Sequence, residues 1–508
     1  MVGMEALRHR VRAVHPAAWL VWVSALSFAV LFGALGVRHH RNFGTWSFDM
    51  GIYDQAFWLV SRGGQSFMTV RGLEFWGHHL NLIVLPFVPF YWMGAGPSFL
   101  YVAQATVMGL GAVPVYLLAR DKFGAPWMGL FFSIVFLMYA PVQWIVWANF
   151  HPEALVVTPL LMAWWCARTD RWRWFVFFVV VALSTREDTA LAVIMLGVVI
   201  LVGQRDPIGH SIRSRFTAVI DPVVRRRIIA GSATVLGGAV WYLVATRLVI
   251  PHFNRGREPF YVKAYYGNYG DTTFEVVGRI LRHPNRVVSD ATQTDRLRFY
   301  RDLFLPLGLT PLVAPLQLLV AAPQMLASVI GLSPYARQIR WQYTSVMIAP
   351  IVVAMIDGTK RLWRFGRTRG LLVAFVVISS IVSNIAWSNA PWSDNHRVWS
   401  APYERAATLR RAVELVPDDV SVTATYSLLP HLTHREQIYD WPNPWVPSYW
   451  GEDDRYRLPA PSEIEWIAVD RRQVGDSEVA MFESLIAPGG GFEVLFDEDD
   501  VVVARRVE

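Results

Sequence analysis

The sequence predicts a mainly α-helical protein that crosses a membrane many times and carries a small soluble α/β domain at its C-terminal end. Three observations predict this fold class. Only 17% of the 508 residues are charged, whereas soluble globular proteins have roughly 25%. Several apolar runs reach the roughly 17–25 residues that cross a bilayer as a helix. From about Asn389 onward, the composition changes to that of a soluble domain.

About eleven apolar segments are predicted as transmembrane helices, and they define a membrane domain of residues 1–388. The eighth and ninth segments are predicted to form a proline-kinked hairpin. A further apolar stretch, Leu80 to Trp92, is too short to span and contains two prolines, which favours a re-entrant or interfacial piece. The eleven segments are residues 17–37, 97–119, 127–147, 154–167, 174–183, 189–202, 228–250, 304–320, 321–332, 343–356 and 371–387.

Basic residues between these segments predict the orientation, because Lys and Arg in short loops collect on the cytoplasmic side. They place the N-terminus in the cytoplasm, and two long loops, residues 38–97 and 251–302, outside together with the C-terminal domain. The net charge of +7 is therefore a topology signal, and no nucleic-acid partner is predicted. The basic residues that face the cytoplasm are Arg8, Arg10, Arg12, Arg120, Lys122, Arg168, Arg171, Arg173 and those of residues 205–227 and 360–369.

The C-terminal region, residues 389–508, alternates helical and strand patterns. Helical spacing covers residues 403–415 and 476–486, and strand patterns cover residues 420–426, 464–469, 492–496 and 501–504. This composition predicts a small α/β domain outside the membrane. It contains no glycine-rich phosphate loop, so no nucleotide site is predicted there.

Two acids stand out in the stretch Phe48 to Trp58, just beyond the first apolar segment. Asp49 and Asp54 are five residues apart, so a regular helix would not align them on one face. A turn at Gly51 would allow both to point into one cavity. The alternative is that Asp49 caps the helix that follows. Tyr53 and Gln55, on that helix, are candidate substrate-binding residues.

The charged run Arg186, Glu187 and Asp188 follows an apolar segment of only about ten residues, which covers roughly half of a hydrocarbon core. These charges are therefore predicted to lie toward the membrane plane, where charged groups are functional candidates. Arg186 could hold a phosphate, and Glu187 or Asp188 could bind a divalent cation. The alternative is an ion pair at the outer surface.

Four more potential metal ligands are predicted on the same outer side: His78, His79, His151 and Glu153. Imidazole with carboxylate suits Zn²⁺ or Mn²⁺, and carboxylate alone suits Mg²⁺. The spacing matches no diagnostic metal motif, and each histidine alone is also typical of an interfacial hydrogen-bonding residue. The single cysteine, Cys166, lies in an apolar run and is interpreted as a small buried hydrophobe.

The stretch Tyr261 to Thr273 is rich in tyrosine, glycine and polar residues. Such a composition suits a loop that closes over a sugar, with Tyr266, Asn268 and Tyr269 as candidate substrate contacts. It equally suits an interfacial aromatic belt, where tyrosine and tryptophan gather.

Several short motifs recur in an order that resembles the membrane-protein family called domain of unknown function 2079. The resemblance covers about residues 20–500. That family is in turn similar to the glycosyltransferase C superfamily, whose members use polyprenyl-phosphate-linked sugars. The motifs are the Phe48–Trp58 stretch, His78-His79, His151-Pro-Glu153, Arg186-Glu-Asp-Thr-Ala-Leu191, Tyr266-Gly-Asn-Tyr-Gly270, Gln342-Tyr343 and Pro430-His-Leu-Thr-His-Arg435.

This resemblance implies a catalytic acid early in the first outer loop, which points to Asp49, with Asp54 as second candidate. It implies transfer of a sugar from a polyprenyl-phosphate donor to an acceptor hydroxyl of the cell envelope, at the outer membrane face. The loop lacks the adjacent acid pair of some members, so a requirement for Mg²⁺, Mn²⁺ or Zn²⁺ stays open. A transporter or lipid flippase is the alternative, and a receptor-like protein a third possibility.

Overall fold

A computed structural model describes residues 15–203, 222–254, 256, 260–400, 403–449 and 457–507. The chain is mainly helical. The basic residues Arg8, Arg10 and Arg12 and most of the predicted loop from Arg205 onward lie outside the described residues. The main helices are α1 Pro16–Arg41, α2 Ile52–Ser61, α3 Pro97–Phe123, α4 Pro126–Met138, α5 Ala140–Trp147, α6 Val157–Arg168, α7 Trp172–Leu183, α8 Thr189–Val202, α9 Val223–Phe253, α10 Phe260–Tyr266, α11 Thr273–Arg282, α12 Pro284–Ala291, α13 Thr294–Phe304, α14 Ala322–Ile330, α15 Ser345–Leu362, α16 Arg369–Trp387, α17 Tyr403–Glu414 and α18 Val479–Ile486.

Four helical segments of the described chain are long and apolar enough to cross a membrane: α1, α3, α9 and Gly366–Trp387, which contains α16. Helices α4 and α5 make a fifth span if they are counted together across their 46° bend. At 1.5 Å per residue the 26 residues of α1 extend about 39 Å, which exceeds a hydrocarbon core of about 30 Å. The predicted number of eleven spans stays a prediction.

Helix α15 forms the centre of the membrane part, since every residue from Ser345 to Thr359 is buried. A helix that is apolar on all sides belongs in a core. The first half of the predicted proline-kinked hairpin is wrong, because residues 304–320 do not form a continuous helix, whereas residues 321–332 contain α14. Prolines break the segment into short turns, followed by α14, because proline lacks an N–H donor and clashes with the preceding turn.

The two predicted outer loops are largely structured. Residues 38–97 contain α2, a hairpin of β1 Phe67–Met68 and β2 Leu73–Glu74, and short helical turns at Phe75–His78, Leu82–Phe87 and Val88–Trp92. The last two turns make the short apolar helix that the sequence predicts as re-entrant or interfacial. The described residues of 251–302 contain α10 to α13, and α11 to α13 are too polar to be recognised as helices from apolar runs.

The C-terminal domain contains α17, α18 and a five-stranded sheet. Its strands are β3 Val422–Ala424, β4 Ile438–Asp440, β5 Trp466–Asp470, β6 Phe492–Glu498 and β7 Val501–Arg506, in the order β4-β3-β5-β7-β6. Strands β4, β3 and β5 are parallel, and β7 is antiparallel to β5 and β6. The sequence pattern predicts every strand except β4, which has only three residues.

The C-terminal domain packs directly onto the segment of residues 46–58. Leu428, Leu429 and Leu432 belong to the same hydrophobic core as Met50 and Phe57. A Cβ atom on Gly51 would lie 2.6 Å from Leu429 Cδ2, so this position admits only a glycine-sized residue without movement of the leucine. The motif at residues 48–58 is therefore buried between the membrane helices and the C-terminal domain.

Candidate functional site

Asp49 has an unusual backbone conformation in the turn that leads into α2. Its φ is +69° and its ψ is −79°, a combination that costs of order 1–3 kcal/mol for a residue other than glycine and that clusters at functional sites. No side-chain hydrogen bond caps this turn or α2, so Asp49 is not the helix cap of the alternative interpretation. Its side chain points instead toward His151.

Asp49 and His151 form a mostly buried ion pair. His151 Nε2 lies 3.1 Å from Asp49 Oδ1, and the two side chains are 2% and 12% exposed. Burial alone lowers the pKa of His151, but the charge of Asp49 outweighs burial and raises this pKa above its usual value. The contact also fixes the orientation of the Asp49 carboxylate.

Two polar residues of α3 hold the turn that carries His151. Gln104 Oε1 accepts a hydrogen bond from the backbone N–H of His151 at 2.9 Å, and its amide donates to the carbonyl oxygens of Ile145 and Asn149. Tyr101 donates to Asn149 Oδ1 at 2.9 Å. Sequence reasoning missed both residues, although a buried glutamine in an apolar helix is a usable signal because it must find partners.

Arg186 lies between two carboxylates, Glu153 and Asp188, and Glu153 follows His151 by two residues. It donates to Glu153 Oε1 at 2.6 Å and to both oxygens of Asp188, and Arg186 and Glu153 are buried. The ion pair of the alternative interpretation, between Arg186 and Asp188, is thus present, and it is part of a largely buried network. Burial raises the pKa of Glu153, and Arg186 outweighs this and lowers it, so Glu153 stays ionised.

The Arg186 guanidinium group is only partly occupied by hydrogen bonds to the described residues. These bonds use three of its five N–H donors, and the other two have no partner in the part of the chain that the structure describes. Among the described residues, Glu153 Oε2 is a buried atom without a hydrogen-bond partner. Since His151 and Glu153 flank Pro152, one short turn joins the Asp49 pair to Arg186. The site is therefore one continuous charged cluster.

Asp54 lies in a different environment from Asp49. It is fully buried and accepts hydrogen bonds from Tyr91 at 2.6 Å and Thr433 at 2.5 Å, and His434 Nε2 lies 3.1 Å away. The predicted turn that would direct both acids into one cavity is not found. These contacts join α2 to the short helix of Tyr91 and to the C-terminal domain. Asp54 therefore connects these three elements.

Asp54→Ala is expected to lower the Tm of the purified protein. The substitution leaves the buried hydroxyls of Tyr91 and Thr433 without their acceptor, and each such loss costs about 1–3 kcal/mol. Thermal unfolding in detergent measures the effect, with Asp271→Ala as the control because Asp271 is exposed. An unchanged Tm for Asp54→Ala would show that Asp54 does not join the two parts.

The contact between His434 and Asp54 is expected to make stability depend on pH. Burial lowers the pKa of His434, but Asp54 outweighs burial and raises it. Because the pKa of His434 is higher in the folded than in the unfolded protein, its contact with Asp54 contributes its full stabilisation below the unfolded pKa of about 6.5. This contribution is lost as pH rises through the higher pKa of the folded protein. The Tm difference between wild type and His434→Gln should therefore shrink from pH 5.5 to pH 8.5. A constant difference would contradict the ion pair.

The remaining predicted metal ligands are engaged in other ways. Glu187 accepts from His79 Nδ1 at 2.8 Å and from the N–H of Leu80 at 3.0 Å. His78 is half-buried, and its ring lies 4.4 Å from the His79 ring, measured between ring centroids. Within the described chain, no group of three or more His, Cys, Asp and Glu side chains is arranged to hold a metal ion. A cation at these residues stays a prediction.

The predicted substrate-binding residues separate into two groups. Tyr53 is buried with its ring 5.8 Å from the His151 ring, which places it inside the cluster. The Gln55 amide instead donates hydrogen bonds to the Thr69 hydroxyl and to carbonyl oxygens of the C-terminal domain, and its oxygen accepts one from the N–H of Val70. These bonds give Gln55 a role in holding α2 against that domain, and a substrate contact for it stays a prediction.

The predicted sugar-closing stretch is packed helix and turn. Tyr269 is fully buried and donates to Asp290 at 2.6 Å, and Asn268 donates to the carbonyl of Ile330 at 3.3 Å. Burial raises the pKa of Tyr266 to about 12, with a further contribution from Asp188, so Tyr266 is the member of this stretch within electrostatic reach of the cluster. The side chain of Tyr261 lies outside the described residues.

Solved structures share this fold. The chain matches the crystal structure of ArnT from Cupriavidus metallidurans bound to undecaprenyl phosphate with a TM-score of 0.54 and 14% identity, over 97% of this chain and 99% of that chain. It matches the apo structure of the same protein with a TM-score of 0.53 and 15% identity, over 96% and 98%. No curated protein matches the sequence.

A family model matches almost the whole chain. The family described as "Predicted membrane protein (DUF2079)" matches residues 39–502, a range that contains the cluster of Asp49, His151 and Arg186 and the C-terminal sheet. The chain therefore belongs to the DUF2079 family of predicted membrane proteins.

Proposed function

We propose that this protein is a membrane glycosyltransferase of the glycosyltransferase C type. It moves a sugar from a polyprenyl-phosphate donor to an acceptor hydroxyl of the cell envelope. The observation that carries the proposal is the joined cluster of Asp49, His151 and Arg186, in which a strained acid pairs with a buried histidine beside an arginine with spare donors. The fold shared with ArnT, whose structure contains undecaprenyl phosphate, supports a lipid-phosphate donor.

Asp49 acts as the general base in the proposed reaction. Its carboxylate takes the proton of the acceptor hydroxyl, and the acceptor oxygen attacks the anomeric carbon of the sugar. The bond from that carbon to the phosphate oxygen breaks, and its electron pair leaves with the polyprenyl phosphate. His151 orients the Asp49 carboxylate.

Arg186 binds the phosphate of the donor and stabilises the charge that develops on the leaving oxygen. Two N–H donors in a planar fork fit phosphate oxygens well. Donors fixed in place before the reaction need no reorganisation during it, which makes them effective in a buried site. Glu153 and Asp188 hold the guanidinium in position.

The proposed topology places this chemistry at the outer face of the membrane. About eleven helical segments would put the N-terminus in the cytoplasm and the C-terminal domain outside. The buried cluster then lies between the outer ends of the membrane helices and that domain. At this face, a polyprenyl-linked sugar would reach Arg186 from the lipid bilayer. The acceptor would approach the cluster from the cell-envelope side.

Release of lipid phosphate from a labelled donor tests the proposal. Purified protein in nanodiscs is incubated with polyprenyl-phosphate sugars that carry label in the lipid, together with a cell-envelope extract as acceptor. Protein-dependent release of polyprenyl phosphate, matched by labelling of the acceptor when the sugar carries the label, is the expected result. Movement of intact donor across liposomes without release would favour the lipid-flippase alternative.

A further inference from the structure

Three tryptophans and a tyrosine form a continuous aromatic surface next to Asp49. This aromatic platform consists of Trp46, Trp147, Trp341 and Tyr426. The ring centroids lie 5.6 Å apart for Trp46 and Trp147, 6.3 Å for Trp46 and Trp341, and 5.9 Å for Trp147 and Trp341. The Tyr426 ring is nearly parallel to Trp46, with 4° between their planes and 6.5 Å between centroids. Four separate chain segments thus contribute one surface.

The polar edges of two tryptophans in the aromatic platform are already bonded within the protein. Trp147 Nε1 donates to the carbonyl of Val398 at 3.2 Å, and Trp341 Nε1 donates to Gln338 Oε1 at 3.3 Å. The three tryptophans are half-buried, and Tyr426 is 41% exposed. What the platform offers to a ligand is therefore mainly ring surface.

The aromatic platform is attached to the reaction centre through the backbone. Trp46 precedes Asp49 by three residues, and the N–H of the intervening Ser47 donates to the carbonyl of Tyr426 at 2.8 Å. Burial raises the pKa of Tyr426, and the charge of Asp49 raises it further. The tyrosine hydroxyl is thus within electrostatic reach of the carboxylate.

The surroundings favour a sugar over the polyprenyl chain as the ligand of the aromatic platform. Tyr426 belongs to the C-terminal domain, since it follows β3. Trp46 follows α1, Trp147 is the last residue of α5, and Trp341 precedes α15, so none of the three lies inside a helix long enough to span. A hydrocarbon chain would remain in the lipid. Sugar rings present an apolar C–H face that packs against aromatic rings, while their hydroxyls stay in water, as they would beside a half-exposed tyrosine.

We propose that the aromatic platform binds the sugar ring of the donor and holds its anomeric carbon at Asp49. This inference rests on the proposed transferase function and names the part of the site that recognises sugar. In this arrangement Arg186 contacts the phosphate and the aromatic platform contacts the sugar. The two halves of the donor headgroup are therefore recognised by separate residues.

Binding of a lipid with and without its sugar tests this division. The probes are radiolabelled undecaprenyl phosphate and its mannosyl and glucosyl derivatives, bound to purified protein in nanodiscs. Wild type should bind at least one sugar derivative more tightly than undecaprenyl phosphate itself. Trp341→Ala should lower the affinity for that derivative about three- to tenfold, the loss expected for one aromatic contact. It should change the affinity for undecaprenyl phosphate less than twofold.

Two controls keep the result interpretable. Trp174→Ala removes an exposed tryptophan of α7. Within the described residues, the ring of Trp174 pairs only with aromatic rings of the same helix. This variant should bind undecaprenyl phosphate and its sugar derivative like wild type. Tyr426→Phe keeps the ring and should retain affinity for the sugar derivative, whereas Tyr426→Ala should lose it. This second pair also replaces Trp341→Ala if that variant unfolds.

Failure of this inference is distinct from failure of the proposed function. If Trp341→Ala and Tyr426→Ala lower the affinities for undecaprenyl phosphate and for its sugar derivative equally, or lower neither, the aromatic platform does not recognise sugar. This conclusion holds whether or not wild type transfers a sugar. The same holds if wild type binds no sugar derivative more tightly than undecaprenyl phosphate. If wild type discriminates through the aromatic platform but releases no lipid phosphate, the binding inference stands and the transferase reaction is wrong.

Discussion

Asp49→Asn is expected to lower turnover by about 10²–10⁴-fold, the usual contribution of a general base, without unfolding the protein. Asparagine has nearly the same shape as aspartate and is among the few residues that tolerate a positive φ. It cannot accept a proton from the acceptor hydroxyl. The rate of polyprenyl phosphate release measures the loss, and binding of the labelled donor should remain close to that of wild type.

Asp271→Asn is the matched control, because Asp271 is an exposed acid of residues 251–302 and outside the cluster. It should retain full turnover. A folded Asp49→Asn variant with wild-type turnover would remove Asp49 from the mechanism. Loss of donor binding together with turnover would assign Asp49 to binding instead of proton transfer.

Arg186→Lys is expected to lower turnover by about 10²–10³-fold, the effect of losing one preorganised donor to a developing charge. Lysine keeps the positive charge among Glu153 and Asp188 but lacks the planar fork that bonds a carboxylate and a phosphate together. The fold should therefore persist, while affinity for the lipid phosphate falls. Turnover and binding of labelled undecaprenyl phosphate together measure this effect.

Arg282→Lys is the control for this change, because Arg282 is an exposed arginine of α11. Arg186→Gln alone would leave buried carboxylates unpaired, which is strongly destabilising. The double variant Arg186→Gln, Glu153→Gln removes both charges of the buried pair, so it should recover stability but not activity. Recovered activity in the double variant would show that Arg186 serves only to neutralise Glu153.

The positions of the membrane helices could be predicted well where apolar length decides them. Helix α1 and the span of α9 lie where apolar runs of sufficient length predict them. Residues 304–332 are equally apolar, but their prolines remove backbone hydrogen bonds and prevent long helices. The polar helices α11 to α13 carry no apolar run, and they were therefore predicted as loop.

Sequence reasoning identified the members of the charged cluster but not their pairing. Nothing in the chain order indicates that Asp49 contacts His151 while Asp54 contacts Thr433, because these partners come together only through the fold. The aromatic platform was missed for the same reason. Tryptophans are abundant in this chain, with 23 in total, and an aromatic belt explains most of them equally well.

The contacts between residues 46–58 and the C-terminal domain also determine when the candidate site is completed during synthesis. The N–H of Ser47 bonds to the carbonyl of Tyr426, and Thr433 bonds to Asp54, across 379 residues of sequence in the second case. A ribosome has therefore made most of the chain before these partners exist. The helices can enter the membrane one after another, but the bonds that hold residues 46–58 against the C-terminal domain form only after that domain has been made and folded.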